Sequence, residues 1–207
     1  MKPTKTINKD FARRVACAYE EMKHAPNNKE VKKAYRALAI ETESQFFNLP
    51  HWLTVDFDSK ESHYSKPSDA IRDIQENSHL YVTPTDGNFG SDKEFNAAGN
   101  PLLAKSGAYI SGKRALINDL FRVVHDFHGH YRGKNGFRAL GEENAFRYHC
   151  GMFSAEAQKA LTTETRGQNS WLNFGPYGEM NRKASQENTI FADQKTGLLP
   201  AWCGKEY

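Results

Sequence analysis

"SGKRALINDLFRVVHDFHGH", residues 111–130, is the stretch on which the reading of this chain turns. Leu116, Leu120, Val124 and Phe127 recur at three- and four-residue intervals, the spacing of one face of an α-helix. The pattern predicts a helix that starts near Ser111 and stops at Gly129. Three of the chain's eight histidines, His125, His128 and His130, crowd that stop, with Asp126 among them. A neutral imidazole offers a metal a lone pair without a large deprotonation cost. In a straight helix His125 and His128 share a face, whereas His125 and His130 are turned about 140° apart. A chain that leaves the helix at Gly129 can curl His130 back toward His125, making a two-histidine claw across a helix terminus.

Downstream, "YRGKNG" (131–136) is a loop with two glycines. "GEENAFRYHCGMF" (141–153) has a helical pattern, and "SAEAQKALTTETRGQ" (154–168) has another, with Ser154 as N-cap and Gly167 as stop. The tail from Trp171 has little periodicity, and Trp171 and Phe174 are expected in the core. Upstream, residues 10–23 place Phe11, Val15, Ala18, Tyr19 and Met22 on one stripe. Residues 29–46 place Val31, Ala34, Tyr35, Leu38 and Phe46 on another, with "HAPNN" as the turn between. Two antiparallel helices over residues 1–47 are the simplest expectation. Residues 48–110 are loop-rich, with short strands expected around Leu53–Phe57 and in "HLYV" (79–82), and a helix after Pro67 capped by Ser68 or Asp69. A long Gly/Asn/Asp-rich loop follows, in which "FGSDKEF" with Gly90 as hinge is a candidate lid. The fold class is mainly α: a single helical domain with long loops and at most a few short strands, with the metal-site core and tail in residues 111–207.

Composition narrows the function classes. The formal net charge is +3 and the basic residues are scattered among acids, which does not support nucleic acid as the partner. No segment approaches about 18 consecutive apolar residues, so no membrane span is expected. "MKPTKTINKDFARR" carries charge without an apolar signal core. Cys17, Cys150 and Cys203 form no CxxC pair, fitting reduced thiols in a cytoplasm and not a cysteine-held zinc.

Two imidazoles need a carboxylate to complete a facial triad, the donor set of non-heme iron(II) oxygenases. Glu142, Glu143 and Glu164 are the candidates. Glu142 and His149 are seven residues apart on one helical face and can add ligands or a second metal; His128 is a further candidate. Glu143 and Arg147, at i and i+4, are more simply a surface ion pair. Asp126 can orient a ligand imidazole by accepting its other N–H. Arg166 can clamp a carboxylate or phosphate with its planar fork, Gln168 and Asn169 can hydrogen-bond an amide or base edge, and Arg122 can reach the same pocket. Asp126, Arg166 and Gln168 are the residues expected to act in catalysis.

"FRVVHDFHGH" resembles the iron-binding stretch of the pterin-dependent aromatic amino-acid hydroxylases, which has a His, an acidic residue, two further residues, Gly and a second His. In that family a Glu on a later helix is the third ligand, and Glu164 stands in a comparable place. The resemblance implies His125, His130 and Glu164 as iron(II) ligands, with Asp126 in the acidic slot near the pterin. It covers residues 118–170. Tyr131 and Arg132 stand where the family has a Pro, and its Arg- and Pro-bearing substrate segment has no counterpart, so the metal site can be shared without pterin or an aromatic amino acid. The order of "AYEEMKHAPNNKEVKKAYRAL", "GSDKEFNAAGNPLL", "NDLFRVVHDFHGH", "GEENAFRYHCGMFS", "TTETRGQNSWLNFGP" and "FADQKTGLLPAW" resembles an uncharacterised bacteriophage domain, found alone and within very large phage polypeptides. That resemblance implies a viral protein acting in the cytoplasm of an infected bacterium and supplies no activity.

The leading expectation is therefore an iron(II) hydroxylase acting on a small molecule or nucleotide. Its rivals are a zinc, manganese or dinuclear hydrolase of phosphate or amide bonds, and a non-catalytic phage protein that binds a host factor.

Overall fold

The computed structural model describes residues 1–58, 63–85, 99–185 and 188–206. The proposed "FGSDKEF" lid with its Gly90 hinge lies outside them. The fold is mainly α, with a few short strands in two small sheets. Helix α1 spans Lys9–Glu21 and α2 spans Lys29–Phe47. Each starts where an asparagine side chain accepts N–H groups of the first turn: Asn8 caps Phe11, and Asn28 caps Glu30 and Val31.

The two helices bury their apolar stripes in different places. Val15, Ala16 and Tyr19 of α1 pack with Trp171, Leu199 and Cys203. Val31, Tyr35 and Leu38 of α2 pack with Phe146, Phe153 and Leu161. The expected N-terminal hairpin is corrected accordingly: each helix lies chiefly against later parts of the chain, because each stripe is matched by its own apolar partner there. The turn between them is tied down by the tail, where Ala25 N–H donates to the Thr196 carbonyl at 2.8 Å.

Strand β1 (Thr54–Phe57) pairs in parallel with β2 (His79–Val82), and α3 (Ser68–Asn77) is the crossover between them. Neither Ser68 nor Asp69 caps α3; Pro67 holds the cap position without a side-chain bond. A second pair, β3 (Lys105–Ile110) and β4 (Lys113–Leu116), is an antiparallel hairpin. It corrects the expected helix start at Ser111. Ser111 and Gly112 both have positive φ, 48° and 74°, the conformation a two-residue hairpin loop requires. The helix α4 begins at Ile117 and runs to His125, with Asp119 accepting the Leu116 N–H at 2.8 Å.

Beyond α4 the chain does not stop at Gly129. It continues as a π-helical stretch over Asp126–Arg132, then a loop, then α5 (Ala139–Cys150). Helix α6 (Ala155–Leu161) starts at Ser154, whose Oγ accepts the Ala157 N–H as expected. It too passes into a π-helical stretch, Thr162–Gly167, and continues as α7 (Gln168–Phe174); a one-turn α8 (Gly178–Asn181) follows. Gly167 is thus no more a stop than Gly129. A Cβ on Gly167 would meet Leu199 Cδ1 at 2.8 Å and Tyr19 Cδ2 at 2.9 Å, so this glycine lets α1 and the tail approach. Among the described residues no helix is long and apolar enough to cross a membrane, and the three cysteines are unbridged.

Candidate metal centre

The widened turn after α4 builds the site. In an i→i+5 turn, residues five apart fall back over one another. The Gly133 N–H donates to the His128 carbonyl and the Asn135 N–H to the His130 carbonyl, both across five residues. His125 and His130 therefore meet inside a continuous helix and not by a chain reversal at its end. Their rings stand perpendicular, 83° apart, with centroids 5.1 Å from each other.

Gly129, between them, admits α5. A Cβ there would lie 3.1 Å from Ala145 Cβ, 3.3 Å from the Ala145 carbonyl oxygen and 3.4 Å from His125 Cε1. The close approach brings Glu142, in the first turn of α5, to the imidazoles. Its Oε2 is 3.4 Å from His130 Nε2 and 3.8 Å from His125 Nε2. The three donor atoms lie within 4.8 Å of one another. An ion about 2.0–2.2 Å from each of three mutually adjacent ligands holds them roughly 3.0–3.4 Å apart, so a small contraction closes the site. Burial alone would raise the Glu142 pKa, but the His125 and His130 imidazoles beside it hold it at about 2 when they carry a proton on the side facing it.

The remaining ring nitrogens have partners. His130 Nδ1 faces the backbone carbonyl of Asn135 at 3.1 Å. A carbonyl only accepts, so Nδ1 carries the proton and Nε2 presents its lone pair. His125 Nδ1 is 3.3 Å from His149 Nδ1, and His149 Nε2 is 2.7 Å from Gln45 Oε1. Burial, then the neighbouring imidazoles, keep the His149 pKa well below its usual value. The orienting role expected of Asp126 thus belongs to Asn135 and His149. Asp126 instead lines the adjacent cleft, its pKa raised by burial against the pull of His130 and His125.

That cleft, of about 1430 Å³, is lined by His125, Asp126 and Glu142 among others, while His130 is buried and does not line it. Arg122, Gln168 and Asn169, the residues expected to hold a substrate, also line it. Arg122 donates to the Thr83 carbonyl at 2.7 Å, and Asn169 to the Ala139 carbonyl at 3.3 Å.

Glu164 lines the same cleft but is not the carboxylate beside the imidazoles. Its Oε1 accepts the Tyr35 hydroxyl at 2.5 Å and its Oε2 the Gln168 amide at 2.9 Å. Burial raises its pKa to about 7, outweighing the opposing pull of those two bonds. The reason Glu142 takes the third position is the glycine contact, which brings α5 against the π-turn; the segment carrying Glu164 is held against α2 through Tyr35.

Arg166 does not reach the cleft. It is wholly buried over the Phe146 ring, pairs with both oxygens of Glu143, and donates to the carbonyls of Cys203 and Lys205 at 2.7 and 2.8 Å. The substrate and catalytic roles expected of it are corrected to a structural one. Glu143, also paired with Arg147 at 2.6 Å, has its oxygens occupied and is neither a ligand nor part of a surface pair. His128 is buried with Nδ1 unpartnered among the described residues, and burial lowers its pKa to about 4. Neither it nor His149 belongs to the three-donor cluster.

Comparison with protein families, curated proteins and solved structures finds no match to this chain.

Proposed function

We propose that the chain is a metal-dependent enzyme with a mononuclear iron(II) centre held by His125, His130 and Glu142, acting as an oxygenase or hydroxylase. One observation supports it above the rest: two imidazole Nε2 atoms and a carboxylate converge at the end of a cleft. A cation seated between two imidazole lone pairs and a carboxylate is attracted by all three donors. Two His and one carboxylate on one side of an ion leave its other positions open, the donor set suited to iron(II) and oxygen chemistry. The iron would supply oxidising chemistry that side chains lack. The chain's own residues would hold and orient the substrate: Arg122, Gln168 and Asn169 by hydrogen bonds, beside Asp126. The resemblance to a bacteriophage domain supports action in the cytoplasm of an infected bacterium, on a small molecule or nucleotide.

A second reading is a zinc- or manganese-dependent hydrolase, favoured by Glu164. A carboxyl with a pKa near 7 on the same cleft suits proton transfer at neutral pH, and a hydrolytic metal lowers the pKa of a water.

The test is elemental analysis of protein purified without oxygen or chelator, beside His130→Ala. Near-unit iron in the wild type, lost in the variant, is expected. Near-unit zinc or manganese, lost in the variant, moves the assignment to the hydrolase. A wild type without stoichiometric metal overturns both and returns the host-factor reading.

A further inference from the structure

Behind His125 runs a chain of hydrogen bonds whose direction is fixed from its far end. The Gln45 amide Nε2 donates to the Met152 backbone carbonyl at 3.3 Å. That carbonyl only accepts, so the amide cannot be turned round, and Gln45 Oε1 faces His149 Nε2 at 2.7 Å. His149 must donate there. A neutral imidazole with one nitrogen donating has the other accepting, so His149 Nδ1 takes the proton of His125 Nδ1 across 3.3 Å. His125 is left with Nε2 as a bare lone pair, pointing at Glu142.

We propose that Gln45 and His149 are positioning residues, which select the metal-binding tautomer of His125 without touching the metal. The proposal rests on the metal reading above. Gln45 lies 104 residues before His149 and is not part of the cleft lining. It joins α2 to the centre through a hydrogen bond, beside the apolar packing of α2 on Phe121 and Phe153. Phe121 stacks on His125 and His149, and Phe153 meets the His149 ring edge-on at 4.8 Å. These rings pack around His149, which is fully buried.

The test pairs nitrogen-edited NMR of the histidine rings in metal-free protein with cobalt(II) titration of the same samples. The variants are Gln45→Glu, Gln45→Met and His149→Phe, with His130→Ala and Glu142→Gln as ligand controls and thermal melts to confirm folding. The wild type is expected to show His125 protonated at Nδ1. Gln45→Glu keeps an acceptor toward His149 and should keep the tautomer and the affinity. Gln45→Met should mix the tautomers and weaken cobalt binding about 10- to 100-fold, and His149→Phe should do at least as much. Wild-type binding that is lost in the ligand controls but unchanged in Gln45→Met and His149→Phe overturns the positioning role and leaves the metal site standing. His125 protonated at Nε2 in the metal-free wild type also overturns it. A wild type that binds no cobalt, yet keeps His125 protonated at Nδ1, removes the metal reading and leaves the tautomer selection intact.

Discussion

Truncating Arg166 to Met leaves Glu143 buried with a single cationic partner, Arg147, and frees two carbonyls of the tail. Breaking a buried ion pair by removing one member typically costs about 3–5 kcal/mol. Urea melts of Arg166→Met should show a loss of that size; a residue that served substrate alone would leave stability unchanged. Glu164 makes a prediction of opposite kind. Its carboxyl titrates near 4.5 when unfolded and near 7 when folded, so the folded state holds the proton more tightly. Its contribution is fully present below about pH 4.5 and is lost as pH rises through about 7. The shift corresponds to a loss on the order of 2 kcal/mol, discounted for the water of the bordering cleft. Melts from pH 4.5 to 7.5 should show the wild type losing that stability relative to Glu164→Gln.

At the scale of elements, the π-helical stretch after α4 and Gly129 position the centre, while the second such stretch and Gly167 serve the core. Gly129→Ala would press a methyl on Ala145 at 3.1 Å and push α5, with Glu142, away from the imidazoles. Overpacking of this kind costs about 1–3 kcal/mol. The larger effect should appear in metal affinity, measured by cobalt titration, and Gly129→Ala with Ala145→Gly should recover part of it. Gly167→Ala meets Tyr19 and Leu199 and should cost similar stability while leaving metal affinity alone. The contrast separates a glycine that serves the site from one that serves the core. Both residues were read in the sequence as helix stops, since a stop and a close approach leave the same mark in a single chain: Gly after an apolar run. Only the opposing surface distinguishes them.

For the whole molecule, a ligand that binds only the folded state stabilises it by mass action. An ion at 100 times its dissociation constant adds about 2.7 kcal/mol. For a domain of this size that corresponds to a rise of roughly 5–10 °C in Tm. Iron(II) or cobalt(II) should raise Tm by that amount, a chelator should reverse it, and Glu142→Gln should abolish it.

The sequence by itself determined the helices, because apolar periodicity and asparagine or serine caps are local facts. Periodic residues placed α1, α2, α5 and α6 close to where they lie, and "HLYV" gave β2. The pairing of His125 with His130 was also legible, since three imidazoles in six positions are conspicuous without coordinates. The tertiary structure alone decided which carboxylate meets them, which arginine lines the cleft, and what lies behind each ring. Glu142, Glu143 and Glu164 are equivalent as letters. They differ because one is brought in by the Gly129 contact, one is consumed by Arg147 and Arg166, and one is held by Tyr35. Gln45 had no mark at all, because a hydrogen bond across 104 residues leaves no periodicity to read. Local patterns record how a backbone coils; a site forms where distant surfaces close on one another, and that depends on the packing of the whole chain.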